Sequence, residues 1–418
     1  MLNPLIYSRL YDWYETSRRT LPWRETEDPY AIWLSEVILQ QTRVMQGLDY
    51  YRRFLARWPS VQALAAADEA EVLREWQGLG YYSRARNLHK AAQMIVESQK
   101  SKVKSRKTAS LKDQRPVFPR TFEELRALPG VGDYTAGAIA SFAYNLPYPA
   151  MDGNVYRVVA RLLDIDEPFD TTAGKKRFHR EIEQLLDREN PRLFNSAIME
   201  FGALYCTPSN GQGTKDNNLS VDKCPQCPLL DACLGHAHGT AEFLPLRKPR
   251  PKVRDRWFDY HIYISRKSKV KSRKLSEIYT LIRRRENPKD IWYHLYEFPC
   301  EEGEGVQSTE YRVQSTEYRV QSTEYRVQST EYRVQNTEYR VQTDSVCEFT
   351  HVLSHQRIHA RFIIHEVQKM PDIPGTIAIR WEDLDDYALS RLTLRALEHL
   401  KNHTMAREPA TLRPVDIL

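Results

Sequence analysis

A glycine hairpin, an aspartate shortly downstream and a glutamate in an apolar helix stand in an order that suits chemistry on a nucleotide. Residues 128–135 read Leu-Pro-Gly-Val-Gly-Asp-Tyr-Thr, and Asp152 follows in Met-Asp-Gly-Asn. Gly130 and Gly132 allow a tight turn between two helical stretches. The N–H groups freed at the next helix start, on the positive end of its dipole, suit a phosphate oxygen. Asp152 would then face the sugar of a nucleotide whose phosphate is held. It precedes a helical run, so it is also expected to cap that helix and to stay ionised beside free N–H groups. Glu36 lies within Tyr30–Thr42, a mostly apolar segment, with Trp33 and Gln40 on the same helical face. A carboxyl among Ile, Trp and Leu side chains has a raised pKa and can serve as a general acid. A solvent-facing helix glutamate is the alternative that periodicity leaves open. A neutral acid with an anionic partner is the pair that breaks glycosidic bonds through an oxocarbenium-like transition state.

A second constellation is Cys206, Cys224, Cys227 and Cys233, whose core reads Cys-Pro-Gln-Cys-Pro-x4-Cys. Thiolates at this spacing in a reducing compartment point to a metal, either structural zinc or a [4Fe-4S] cluster, and spacing alone does not choose. Cys300 and Cys347 lie outside the set. Six cysteines in 418 residues make no disulfide scaffold. The N-terminus lacks the order of a secretory leader, and no apolar run is long enough for a bilayer, so a cytoplasmic protein is expected.

The elements that must position these groups divide the chain. Residues 1–235 carry apolar residues at helical spacing, over Ala31–Tyr51, Val61–Glu75, Arg84–Glu97, Phe122–Leu128, Tyr134–Ala143 and Asn154–Leu163. Thr121 to Glu124 has the form of a capping box, and Asp133 is a candidate cap after the hairpin. Residues 236–255, with the Pro- and base-rich stretch Glu242–Pro251, read as a linker. Residues 256–405 turn to short β-branched or aromatic runs at Trp257–Ser265, Ile291–Phe298, Arg357–Val367 and Thr376–Arg380, closed by a helix near Leu392–His403. That half is expected to be a smaller α+β domain.

Two repeats interrupt the pattern. SKVKSRK occurs at Ser101–Lys107, in an insert at about 98–114, and again at Ser268–Lys274. Each copy holds four basic and no acidic residues, so without them the net charge of +6 would become −2. The case for DNA therefore rests on local sites and not on global charge. Five copies of VQSTEYR, the last VQNTEYR, begin at Val306 in an insert spanning 306–342. Their period is too polar for a coiled-coil seam, and they read as a surface insertion without a catalytic role.

Together the segments LPWRETEDPYAIWLSEVILQQT (21–42), GLGYYSRARNLHKAA (78–92), LPGVGDYTAGAIASFA (128–143), MDGNVYRVVARL (151–162) and the cysteine set resemble the helix-hairpin-helix DNA glycosylases, specifically their A/G-specific, MutY-type adenine branch. The resemblance implies a multidomain fold. A mainly α helix-hairpin-helix glycosylase domain with an iron–sulfur cluster loop is followed by a C-terminal α+β Nudix-like domain. It further implies a monofunctional glycosylase that excises adenine opposite 8-oxoguanine or guanine in double-stranded DNA, as a monomer in the nucleoid-associated cytoplasm, with no membrane partner. By this resemblance Glu36 protonates adenine N7, Asp152 stabilises the developing sugar cation, and Tyr134 and Asn154 support that step. Arg24 contacts the everted adenine, Gln41 and Tyr81 enter the stack around the orphaned partner base, and Thr42 and Leu79 are further DNA-binding residues. Arg84 and Arg86 are candidate phosphate contacts.

In the related endonuclease III group the position of Tyr134 is a lysine that forms a Schiff base, which tyrosine cannot do. The pyrimidine glycosylase/AP lyase activity of that group is thus the second reading, and a catalytically silent DNA-binding protein the third. Leu295–Pro299 and Phe349–His355 resemble the lesion-recognition domain of the adenine branch, with Ser354 and His355 matching its Phe-Ser-His loop and Leu353 replacing the phenylalanine. No glycine- and glutamate-rich Nudix box is present, so this domain is expected to bind and not to hydrolyse. Seventeen residues separate Cys206 from Cys224, where the family has a much shorter spacer.

Overall fold

Helix α1 (Pro4–Ser17) opens the chain, and a single 3-10 turn (Pro22–Arg24) leads into α2 (Pro29–Ile38). The structure, a computed structural model, describes residues 4–105, 118–208, 220–249, 253–267, 277–288, 290–303, 342–353 and 355–403. The VQSTEYR repeats, the second SKVKSRK copy and Ser354 lie outside these residues. The chain continues through α3 (Val44–Arg57), α4 (Val61–Ala65), α5 (Glu69–Glu75), α6 (Ser83–Ser105), α7 (Phe122–Arg126), α8 (Asp133–Tyr144), α9 (Gly153–Leu162), α10 (Thr172–Leu185), α11 (Pro191–Leu204) and the short α12 (Leu234–Ala237).

Contacts divide the chain into two units, Met1–Glu69 with Ser83–Arg250, and Ala70–Tyr82 with Pro251–Leu418. This differs from the expected boundaries at 235 and 255. Residues 236–249 fold with the helical unit, because Leu244 O accepts from Arg161 Nε at 3.2 Å and Leu246 O from the Phe169 N–H. Segment 70–82 groups with the C-terminal half through Tyr82, whose hydroxyl donates to Leu389 O at 3.0 Å.

In the helical unit α2 is apolar on every side, and Tyr30 through Ile38 are all buried. Such a helix belongs at the centre of a packed core, and α8 lies directly against it. Asp28 caps α2 by accepting from Tyr30 N. The helix expected over Ala31–Tyr51 is broken, because Gln41 takes a left-handed φ of 56° between α2 and α3. The helix expected over Val61–Glu75 also divides, and at that break the buried His89 ring donates to Ala67 O at 3.0 Å. The capping box of α7 forms as expected: Thr121 accepts from Glu124 N, and Glu124 accepts from Thr121 N. Asp133 does not cap α8. Gly132 holds that position, and the Asp133 carboxylate pairs with Arg126 instead.

The second unit is a mixed sheet. Strands β1 (Arg254–Lys267), β2 (Glu277–Arg284), β3 (Tyr296–Glu297), β4 (Cys300–Gly303), β5 (Gln342–Val352), β6 (Gln356–Glu366) and β7 (Thr376–Arg380) follow in the chain, and α13 (Arg391–His403) closes it. The path runs β3-β2-β1-β6-β5, with β4 on β1 and β7 on β2. β1 and β6 are parallel, and the other named pairs are antiparallel. Along β6 the residues from Ile358 to Ile364 alternate between buried and half-buried, the mark of a sheet with one face in a core. The strand expected over Ile291–Phe298 shrinks to two residues, because His294 is left-handed at φ 65° and Leu295 N turns back to Trp292 O. The buried Glu297 is paired: Arg285 bonds Glu297 and Asp290, each at 2.6 Å.

The approach to Asp152 depends on one glycine of α8. A β-carbon at Gly137 would lie 2.3 Å from Pro149 O, so only glycine lets the chain pass that close. Gly137→Ala is expected to cost about 1–3 kcal/mol of stability, measured by denaturant unfolding monitored by circular dichroism.

Candidate active site

A cavity of about 650 Å³ opens in the helical unit where α2, α8, the start of α9 and α11 meet. Its walls bring together Arg24, Glu36, Gln41, Thr42, Gly132, Tyr134, Asp152 and Asn154. These residues are spread over more than a hundred positions of sequence, and all but Gln41 and Thr42, which lie in the loop after α2, come from a helix end or the buried face of a helix. Glu36 comes from the last turn of α2, Tyr134 from the first turn of α8 after the Gly130 turn (φ 75°), and Asp152 from the cap of α9.

Glu36 is 3% exposed, which removes the solvent-facing alternative. Tyr134 donates its hydroxyl to Glu36 Oε2 at 2.5 Å, and Arg24 Nη1 stands 3.6 Å from Oε1. Burial raises the Glu36 pKa above the usual glutamate value. The charge of Arg24 and the bond from Tyr134 pull it down, and Asp152 adds to the rise. The net direction is upward, as a proton donor requires. Arg24 lies over the Phe142 ring at 4.0 Å, and its Nη1 is buried without a hydrogen-bond partner among the described residues.

Asp152 is the N-cap of α9. Its Oδ1 accepts from Asn154 N and Val155 N, each at 2.8 Å, and its Oδ2 accepts from the Asn154 side-chain amide at 2.8 Å. The sequence expectation of an ordinary ionised cap needs correcting in one respect. Burial raises its pKa, and the hydrogen bonds and the charge of Arg157 only partly reverse this, because this helix start faces the cavity and not bulk solvent. Asn154 Oδ1 in turn accepts from Arg157 Nη2 at 2.9 Å, and Arg157 Nε donates to Cys206 O at 2.7 Å.

The four cysteines gather despite the long spacer after Cys206. Cys227 feels the charges of Cys206, Cys233 and Cys224, and burial pushes its thiol up to about 12. Cys206 Sγ accepts from Arg161 Nη1 at 3.4 Å. His238 is engaged by Asp164 at 2.7 Å. Among the described residues, no three His, Cys, Asp or Glu side chains lie close enough to hold a single metal ion.

Some expected residues stand elsewhere. Gly130 lines a neighbouring cavity of about 210 Å³ with Arg84 and Asn87. Arg84, a candidate phosphate contact, points into the protein. It is buried, and its guanidinium donates to backbone carbonyls. Leu79 and Tyr81 belong to the second unit, where Leu79 is buried and Tyr81 is exposed at φ 47°. His355 is exposed in the turn between β5 and β6, at which Leu353 N donates to Gln356 O.

Two cavity residues escape sequence reasoning. Arg19 grips Glu200 through Nε and Nη2, at 2.6 and 2.8 Å, and both line the wall. Glu200 carries the same signal as Glu36, a carboxylate inside an apolar helical run, Ala197–Phe201. Its partner lies too far away in sequence to be inferred.

Residues 34–187 match the model of the HhH-GPD superfamily base excision DNA repair proteins. The chain is similar to the adenine DNA glycosylase of Mus musculus, 37% identical over 257 residues, 59% of this chain and 45% of that protein. It is also similar to the adenine DNA glycosylase of Buchnera aphidicola subsp. Schizaphis graminum, 31% identical over 298 residues, 70% of this chain and 74% of that protein. The match thus spans less than half the length of the mouse relative. Among solved structures, a thermostable thymine-DNA glycosylase gives a TM-score of 0.45 at 23% identity, covering 56% of this chain and 96% of that one.

The hydrogen bond from Tyr134 favours the ionised form of Glu36, so its loss must move the Glu36 pKa further up. A carboxyl-carbon NMR titration of Tyr134→Phe is expected to place Glu36 at higher pH than in the parent protein.

Proposed function

From the premise that the chain belongs to the adenine DNA glycosylase family, we propose that it excises adenine from duplex DNA, where the base is mispaired with 8-oxoguanine or guanine. One observation carries this reading: Glu36, with its raised pKa, and Asp152 line a single cavity with Tyr134. In the proposed reaction the adenine nucleotide is everted into that cavity. The Glu36 proton passes to N7 of the base, and the C1′–N9 bond breaks with its electron pair leaving on adenine. The Asp152 carboxylate stabilises the sugar cation until water adds at C1′ and gives its proton back to the Glu36 carboxylate, leaving an abasic site, free adenine and the enzyme restored. Arg24 Nη1, a buried donor, and the Glu200 carboxylate offer complementary partners for a base that both accepts and donates hydrogen bonds.

A strand-cleaving lyase needs an amine nucleophile where Tyr134 carries a phenol, which favours simple hydrolysis. Gln41, Thr42 and Tyr81 are proposed contacts around the partner base. The C-terminal unit is proposed to be Nudix-like and to read the lesion through Ser354 and His355, the first of which lies outside the described residues. The protein would work as a monomer on nucleoid DNA in the cytoplasm. No helix among the described residues is long and apolar enough to cross a membrane.

We take the cysteine set to hold a [4Fe-4S] cluster, with structural zinc as the alternative that the iron analysis below excludes or supports. Arg161 at Cys206 suits the net negative charge that either group would carry on four thiolates. When bound, the cluster would tie residues 206–233 to α9 and supply no proton.

Two measurements test the reading. On an A:8-oxoG duplex, Glu36→Gln is expected to lose about 10²- to 10⁴-fold in excision rate while retaining duplex affinity, and the parent protein should leave thymine-glycol duplexes intact. Normal turnover by that variant would refute the assignment of the acid. Elemental analysis should find about four irons per chain, with both iron and thermal stability lost in Cys227→Ser.

A further inference from the structure

Helix α2 ends without the left-handed glycine that satisfies the last carbonyls of many helices. Leu39 still holds right-handed geometry, and Gln41 is left-handed without being glycine. The carbonyls freed there turn to one side chain of α6. Arg84 Nη1 lies 3.1 Å from Val37 O and 3.0 Å from Ile38 O, donates also to Gln40 O, and has the Thr42 hydroxyl at 3.4 Å. A cation at this end also complements the helix dipole. Arg84 is 9% exposed, so these contacts are made out of bulk water.

The first of these carbonyls belongs to the residue after Glu36. The loop beyond is part of the cavity wall, since Gln40, Gln41 and Thr42 line it and the Gln40 amide reaches Thr135 on α8 at 3.3 Å. One guanidinium therefore fixes both the last turn of α2 and the loop that shapes the wall.

We propose that Arg84 is a positioning residue for base excision, holding the C-terminal turn of α2 and so the angle at which Glu36 enters the cavity. The inference rests on the adenine-excision reading and adds to it a residue that acts without touching DNA. All three carbonyls meet the one nitrogen Nη1, and a lysine keeps the charge but replaces the rigid planar head that holds this nitrogen in place by a flexible ammonium.

The test uses the full chain carrying Arg84→Lys, with single-turnover excision from an A:8-oxoG duplex across pH and duplex affinity across a salt series. Excision is expected to fall about 10- to 100-fold, the scale of a misplaced reacting group. Affinity and its salt dependence should stay unchanged, and the alkaline limb of the rate profile should move to lower pH as Glu36 gains solvent. A parental rate and profile would overturn the proposal. So would an unchanged rate at saturating duplex with a salt slope weaker by about one, the signature of a lost phosphate contact. Should Arg84→Lys not fold, Arg84→Ala is refolded with guanidinium ion: recovery of the melt and of excision supports the proposal, and no recovery overturns it. If the parent protein itself leaves adenine in place, the function reading fails first, and this inference with it.

Discussion

Burying a carboxyl group in a helix that is apolar on every side is the constraint on which the site depends. An ionised Glu36 there would cost several kcal/mol without compensation. The fold meets that cost in two ways that oppose each other. Burial favours the proton, while Arg24 and the Tyr134 hydroxyl partly restore the anion. The balance leaves a group that holds its proton more firmly than a surface glutamate and yet has polar partners for the anion left after transfer. Neither a fully apolar pocket nor an open one would serve both stages.

The opposite wall solves the complementary problem. Asp152 accepts from two backbone N–H groups and from the Asn154 amide, so its two oxygens are fixed before any substrate arrives. Such preorganisation is what makes an anion effective against a short-lived cation. The supports run outward from the cavity: Asn154 is held by Arg157, and Arg157 by the carbonyls of Gly202 and Cys206. The aspartate is therefore the inner end of a hydrogen-bonded wall and not an isolated loop residue.

Much of this was legible in the sequence because the informative residues break a local pattern. A glutamate in an apolar run, an aspartate ahead of a helix and a capping box at Thr121 each carry their signal within a few positions. What stayed hidden depends on distant partners. The end of α2 at Ile38 is set with the help of Arg84, so periodicity alone ran the helix on to Tyr51. The Arg19–Glu200 pair and the grouping of residues 70–82 with the sheet are of the same kind. Strand β2 was missed for another reason: Thr280, Leu281 and Ile282 are all buried, which erases the alternation that would announce a half-exposed strand.

The heptapeptide array enters the sheet unit between β4 and β5, and each of those strands has its own partner, β1 for one and β6 for the other. Neither pairing passes through the array, and the entropy of joining two strand ends grows only logarithmically with the residues between them. Slippage of the replication machinery on a tandem tract adds or removes whole units without shifting the reading frame. Copy number can therefore change while β4 keeps β1 and β5 keeps β6 as partners.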